Sequence, residues 1–171
     1  AVSKLKMGDG FDPKTTLGPL IGLDAVKKVN SHVEDAISKG AESIYCGTSE
    51  KIGGNFINPI ILTGVKKNMR VATEETFGPL APLFEFSTVE EVIGLANDTI
   101  FGLASYFYAK DLSRVYKVAE ALEYGMVGVN TGIISTELAP FGGVKQSGLG
   151  REGSHHGIDD FMEMKYVCLS V

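Results

Sequence analysis

Apolar residues recur at steps of three and four from Ile21 through Ala25, Val26, Val29, Val33, Ala36 and Ile37, and Gly40 stands where such a run would stop. That spacing predicts an amphipathic helix with a glycine C-terminal stop. Glu42–Cys46 then reads as a short strand, Gly47–Gly54 as a polar turn, and Asn58–Val65 (NPIILTGV) as a β-branched strand between proline and glycine signals. Leu80–Phe86 reads as another strand. Ser87-Thr88-Val89-Glu90 supplies a capping box for a helix running to about Ala96, and Asn97-Asp98-Thr99 breaks it. Leu103–Tyr108 has the aromatic content of a buried strand. Asp111 can cap a further helix, with Leu112, Val115, Tyr116, Ala119 and Leu122 on one face and Gly125 after it. Met126–Val129 is a strand again. Helix and strand alternate with short connections, which predicts an α/β domain with a largely parallel sheet and flanking helices.

Three stretches lie outside that rhythm. Met7–Pro19 is rich in Gly, Asp and Pro and reads as an exposed loop. The opening AVSKLKMGDG resembles the end of a helix entered part-way, so the chain is expected to be a fragment. Thr131–Gly153, TGIISTELAPFGGVKQSGLGREG, is glycine-rich with no long periodic segment. A loop of about 20 residues in a small domain is usually functional or disordered, and its apolar Ile133, Ile134, Leu138 and Phe141 favour an ordered one. Gly157–Val171 reads as a short helix and then a strand, KYVCLSV, whose free edge should join a sheet of its own chain or of a partner.

With 171 residues and 44% apolar content, one domain with a true core is expected. A net charge of −5, with Lys66–Arg70 as the basic cluster, argues against a nucleic-acid surface. No apolar run reaches the roughly 20 residues of a membrane span, and the opening residues lack the apolar core of a secretory leader. Cys46 and Cys168 are too few for a disulfide scaffold and suit a reducing compartment, cytoplasmic or mitochondrial. Both lie in apolar runs and are expected to be buried strand thiols. His32, His155 and His156 have no ligand-spaced cysteine or carboxylate, so no metal site is expected.

Glu74–Pro82, EETFGPLAP, concentrates a carboxylate, an aromatic ring and a Gly-Pro pair. A carboxylate accepts hydrogen bonds from vicinal sugar hydroxyls, and a ring two residues on packs against a flat heterocycle. An ordinary turn, with solvated Glu75 and core Phe77, explains the same residues. Gly148-Leu149-Gly150-Arg151-Glu152-Gly153 satisfies G-x-G-x-x-G but follows no strand and leaves no room for a βαβ unit, so it is not a dinucleotide fingerprint. No Ser-His-Asp or Cys-His set can be assembled from the residues present.

Taken together, EETFGP, NDTIFGLASYFYAKD, GNFINPIIL and PFGGVKQSGLGREG resemble the aldehyde dehydrogenase superfamily in order and spacing. GIIS and the ending KYVCLSV resemble its succinate-semialdehyde branch. The resemblance implies a catalytic-domain-like fold, with residues 1–155 as part of that domain and residues 156–171 as a C-terminal helix and oligomerisation strand of a homo-oligomer. It implies NAD or NADP as cofactor, with Glu75 holding the nicotinamide ribose, Phe77 beside it and Leu103 at the nicotinamide pocket. Ser135 would help bind the distal carboxylate of succinate semialdehyde, and Phe141 would form a wall of the substrate tunnel. The nucleophilic cysteine, the general-base glutamate and the carboxylate-clamping arginines would lie upstream of Ala1, leaving the isolated chain inactive.

Overall fold

Leu23–Ser38 (α1) begins two residues later than the apolar spacing predicts, with Gly22 as its extended N-cap and Asp24 in its first turn. Ile21 therefore stays outside the helix and fully exposed. Gly40, at φ +97°, follows the last turn in the left-handed region that glycine enters at little cost. The computed structural model describes residues 1–47 and 53–171. The turn expected over Gly47–Gly54 therefore falls largely on residues outside that description.

The described residues form two compact units, Ala1–Glu85 and Phe86–Val171. In the first, Glu42–Cys46 (β1), Ile60–Thr63 (β2) and Leu80–Pro82 (β3) make a sheet in that order. β1 and β2 are antiparallel, whereas β2 and β3 run parallel with Ile60 opposite Leu80. α1 lays Val33 and Ala36 on the core of Ala41, Ile60, Leu62, Val65, Met69 and Val71, the last from a 3-10 turn at Arg70–Ala72. β3 ends at Pro82, and the Leu83 N–H makes the last bond to β2, at Leu62 O and 2.8 Å, because its partner strand ends at Thr63. That cuts the predicted Leu80–Phe86 strand short.

In the second unit, Ala104–Phe107 (β4) and Met126–Val129 (β5) pair in parallel across the helix Leu112–Ala121 (α3), preceded by the helix Val89–Asn97 (α2). The α2 cap sits one residue later than predicted. Thr88 Oγ1 accepts from the Glu91 N–H, and the Glu91 carboxylate takes the Ser87 N–H. Asp111 caps α3 as its sequence indicates. Val118 is the buried residue of α3, while Leu112 and Tyr116 stand 68% and 62% exposed.

Three expectations need correction. The sheet is two sheets, because the αβ alternation begins only at α2 and the first unit pairs β1 to β2 as neighbours. Cys46 and Cys168 are exposed, Cys46 because β1 is an edge strand with its side chains largely uncovered. Of the two places expected for the terminal strand, its own chain does not supply one among the described residues, where Met162–Val171 is unpaired and exposed throughout. Among the described residues no helix is long and apolar enough to cross a membrane.

Candidate functional site

Arg70 and Glu74 are one helical turn apart, and the guanidinium grips the carboxylate with two bonds, Nε to Oε1 at 2.9 Å and Nη2 to Oε2 at 2.8 Å. Its remaining donors reach α1. Nη1 donates to Ser31 Oγ at 3.1 Å, and the Arg70 main-chain N–H donates to Asp35 Oδ2 at 2.9 Å. His32 of α1, completely buried, lies 3.1 Å from Glu74 Oε2 through Nε2 and 3.0 Å from Thr76 Oγ1 through Nδ1. Arg70 first, and His32 second, hold the Glu74 carboxyl down to about 2. The Lys39 ammonium and the Arg70 N–H likewise hold Asp35 below its ordinary value.

The next residues fall into two sets. Glu74, Thr76 and Gly78 face α1, and at Gly78 an added Cβ would lie 2.5 Å from Val29 Cγ2. Glu75 and Phe77 face away and are exposed, Phe77 to 80%. The Glu75 carboxylate has no hydrogen bond or ion pair among the described residues. Phe77 sits at φ +57°, a conformation that costs a bulky residue about 1–3 kcal/mol and is held only where neighbours fix it. Of the two readings open for this stretch, the core Phe77 is excluded.

In the second unit the loop after β5 starts at Asn130, φ +57°, whose side chain accepts from Ala109 N–H and donates to Ala109 O, extending the β4–β5 pairing by one step. Phe141 and Glu152 then exchange both main-chain bonds, at 2.8 and 2.7 Å. Arg151 Nη1 donates to the carbonyls of Gly143 and Gly150, and its N–H donates to Asp160. Gly125 packs so closely on the Gly142 carbonyl that a Cβ there would collide with it. Ser135 and Phe141 share an open cleft of about 420 Å³ with Thr136, Glu137, Glu152 and Gly153. Phe141 also lines a second cavity of about 290 Å³ together with Arg151. Leu103, half-exposed, lies just before β4, where the Met126 N–H binds its carbonyl. Ser135 and Phe141 thus meet at one cleft and Glu75 and Phe77 on one turn, while Leu103 lines neither of the two cavities.

His32, Arg70, Asn130 and Arg151 were not singled out by sequence. His32 had a signal, because it falls three residues after Val29 and four before Ala36, on the apolar face of α1. Among the described residues no group of three His, Cys, Asp or Glu side chains is placed to hold a metal ion.

The sequence profile of the aldehyde dehydrogenase family matches residues 1–167. The chain belongs to the aldehyde dehydrogenase family. It is 63% identical over all 171 residues to a glutarate-semialdehyde dehydrogenase of Pseudomonas putida, of which it covers 35%. It is 60% identical over 171 residues to the NADP+ succinate-semialdehyde dehydrogenase GabD of Escherichia coli, of which it covers 36%. A 3-sulfolactaldehyde dehydrogenase of Pseudomonas putida is 59% identical over 99% of this chain and 35% of that protein. The chain therefore spans about a third of the length of these curated relatives.

Solved structures of the family agree with the fold. A succinate-semialdehyde dehydrogenase from Burkholderia pseudomallei matches 99% of this chain, and 35% of its own, at 63% identity with a TM-score of 0.95. A betaine aldehyde dehydrogenase from Staphylococcus aureus, in complex with NAD+, matches 94% of this chain and 32% of its own at 36% identity and a TM-score of 0.85. On the Glu75–Phe77 turn an unpartnered carboxylate and an exposed ring are groups that can accept from vicinal hydroxyls and pack on a flat ring.

Proposed function

We propose that this chain supplies the nicotinamide-ribose wall and part of the aldehyde pocket of a longer NAD(P)+-dependent dehydrogenase. Its substrate is a short aldehyde with an acidic group at the far end, succinate semialdehyde in the first instance. The observation that carries this reading is the outward pair Glu75 and Phe77 on a turn fixed from behind. Glutarate semialdehyde, succinate semialdehyde and 3-sulfolactaldehyde, the substrates in the relatives' names, all pair an aldehyde with an anionic group.

A bound nicotinamide supplies the hydride acceptor for oxidation of the aldehyde. Glu75 would accept hydrogen bonds from the ribose hydroxyls, Phe77 would offer its apolar face beside them, and Leu103 would give the nicotinamide an apolar contact. At the cleft, the Ser135 hydroxyl donates to the distal acid of the substrate, and Phe141 packs on the short carbon chain. Neither Cys46 nor Cys168 lines the cleft, so the attacking thiol and its general base are assigned to other parts of the enzyme. These residues alone are accordingly inactive. The exposed apolar tail, with Tyr166, Val167 and Leu169, is assigned to strand pairing with a second copy. Two free thiols favour a reducing setting, cytoplasmic or mitochondrial.

The test is aldehyde-dependent NAD(P)H formation by the longer enzyme carrying these residues. Ser135→Ala is expected to raise KM for succinate semialdehyde about tenfold, the worth of one hydrogen bond to a charged group, and to change an uncharged aldehyde less than about twofold. Equal effects on both substrates remove Ser135 from the site.

A further inference from the structure

We propose that His32 is a positioning residue for the cofactor site, holding Glu74 and Thr76 inward so that Glu75 and Phe77 are presented to the ribose. This deepens the proposed function and rests on it for the role of Glu75.

The hydrogen-bond chemistry settles the orientation of the imidazole. An ionised Glu74 only accepts, so the ring nitrogen facing it, Nε2, carries the proton. The Thr76 hydroxyl, which can donate or accept, pairs with Nδ1 at 3.0 Å. A completely buried side chain therefore fixes two residues of the turn that are not adjacent. Between and beyond them stand the two residues that face outward. Holding Glu74 and Thr76 brackets the main chain of Glu75 between two fixed residues, and Thr76 and Gly78 bracket that of Phe77 in the same way.

Other parts of α1 complete the mould. Ser31 and Asp35 hold Arg70, which clamps Glu74, and Val29 closes on Gly78. Phe77 at φ +57° is flanked on both sides by residues held this way, Thr76 by His32 and Gly78 by Val29. A buried imidazole must find partners for both ring nitrogens, and nothing requires that they lie on the turn. His32 spends both ring nitrogens there.

The experiment measures the dissociation constant of NAD+ and of NADP+ by calorimetry, with thermal unfolding alongside, in the longer enzyme. His32→Leu keeps most of the volume and makes neither hydrogen bond, and it is expected to weaken cofactor binding about five- to twentyfold. His32→Gln, whose amide still donates toward Glu74, should recover part of that loss. Thr76→Val, which removes only the hydroxyl, should weaken binding several-fold in a protein that folds normally. In a Glu75→Ala background His32→Leu should add less than about twofold, because the residue it positions is gone. KM for the aldehyde should change little in every variant. If Glu75→Ala weakens binding while His32→Leu and Thr76→Val bind like the unmodified enzyme, His32 is packing only and the positioning role is overturned. If Glu75→Ala itself binds cofactor normally, the ribose reading falls and takes this proposal with it.

Discussion

The turn at Glu74–Pro79 and the loop at Thr131–Gly153 both hold candidate site residues in place, and they do it by opposite means. The turn is fixed by side chains. The buried imidazole of α1 and the Arg70 guanidinium converge on its Glu74 carboxylate, in a unit with a true apolar core. The loop is fixed largely on main-chain atoms, including the carbonyls that its Arg151 and Lys145 side chains grip, and by glycines that leave room for close approach. Phe141 and Glu152 form a bridge, Arg151 ties down carbonyls, and Gly125 lets Gly142 approach where any Cβ would collide. Among the described residues of that unit Val118 is the one buried hydrophobic side chain. Charged side-chain clamps can reset with pH and sequence, whereas a backbone approach admits no substitute. A site can thus be made sensitive to chemistry in one place and to volume in another.

Volume gives the largest expected effect. Gly125→Ala drives a methyl group into the Gly142 carbonyl and should destabilise the loop unit by about 3 kcal/mol, read as a drop in unfolding midpoint. Gly78→Ala meets a methyl of the buried Val29 rather than main chain, and should cost about 1–2 kcal/mol. Equal costs would erase the contrast between the two regions.

Acidity gives the smaller one. The folded Glu74 carboxyl sits at about 2 against an ordinary 4.5, held down first by Arg70. Its folded value being the lower, the clamp adds stability that is complete above about 4.5 and drains away as pH falls toward 2. Glu74→Gln should flatten the dependence of unfolding temperature on pH within that window and leave the slope elsewhere unchanged. An unaltered slope in the window would show that the clamp does not couple to folding.

The elements were largely legible in the sequence, because α1, β1, α3 and β5 each carry their period, cap or stop in consecutive residues. Asp111 and Gly40 are caps whose chemistry is local, so one sequence suffices to place them. What local reading misses is what distant segments do to one another. The antiparallel β1–β2 pair, the exposure of Cys46 on an edge strand and the unpaired tail after Met162 depend on which edges meet. Glu75 and Phe77 stood out as residue types, but the clamp behind them joins Ser31, His32 and Asp35 to Arg70, Glu74 and Thr76 across some forty residues of chain. His32 lies on the apolar face of α1, where its spacing marked it as buried and nothing nearby named its partners.

The most direct measurement is the dissociation constant of the reduced cofactor for Glu75→Ala in the longer enzyme, followed by nicotinamide fluorescence. Losing a carboxylate that holds the ribose diol should weaken binding about tenfold to a hundredfold, with the unfolding temperature unchanged because Glu75 has no partner among the described residues. Binding as tight as that of the unmodified enzyme would contradict it, leaving Glu75 a solvated residue on a well-made turn.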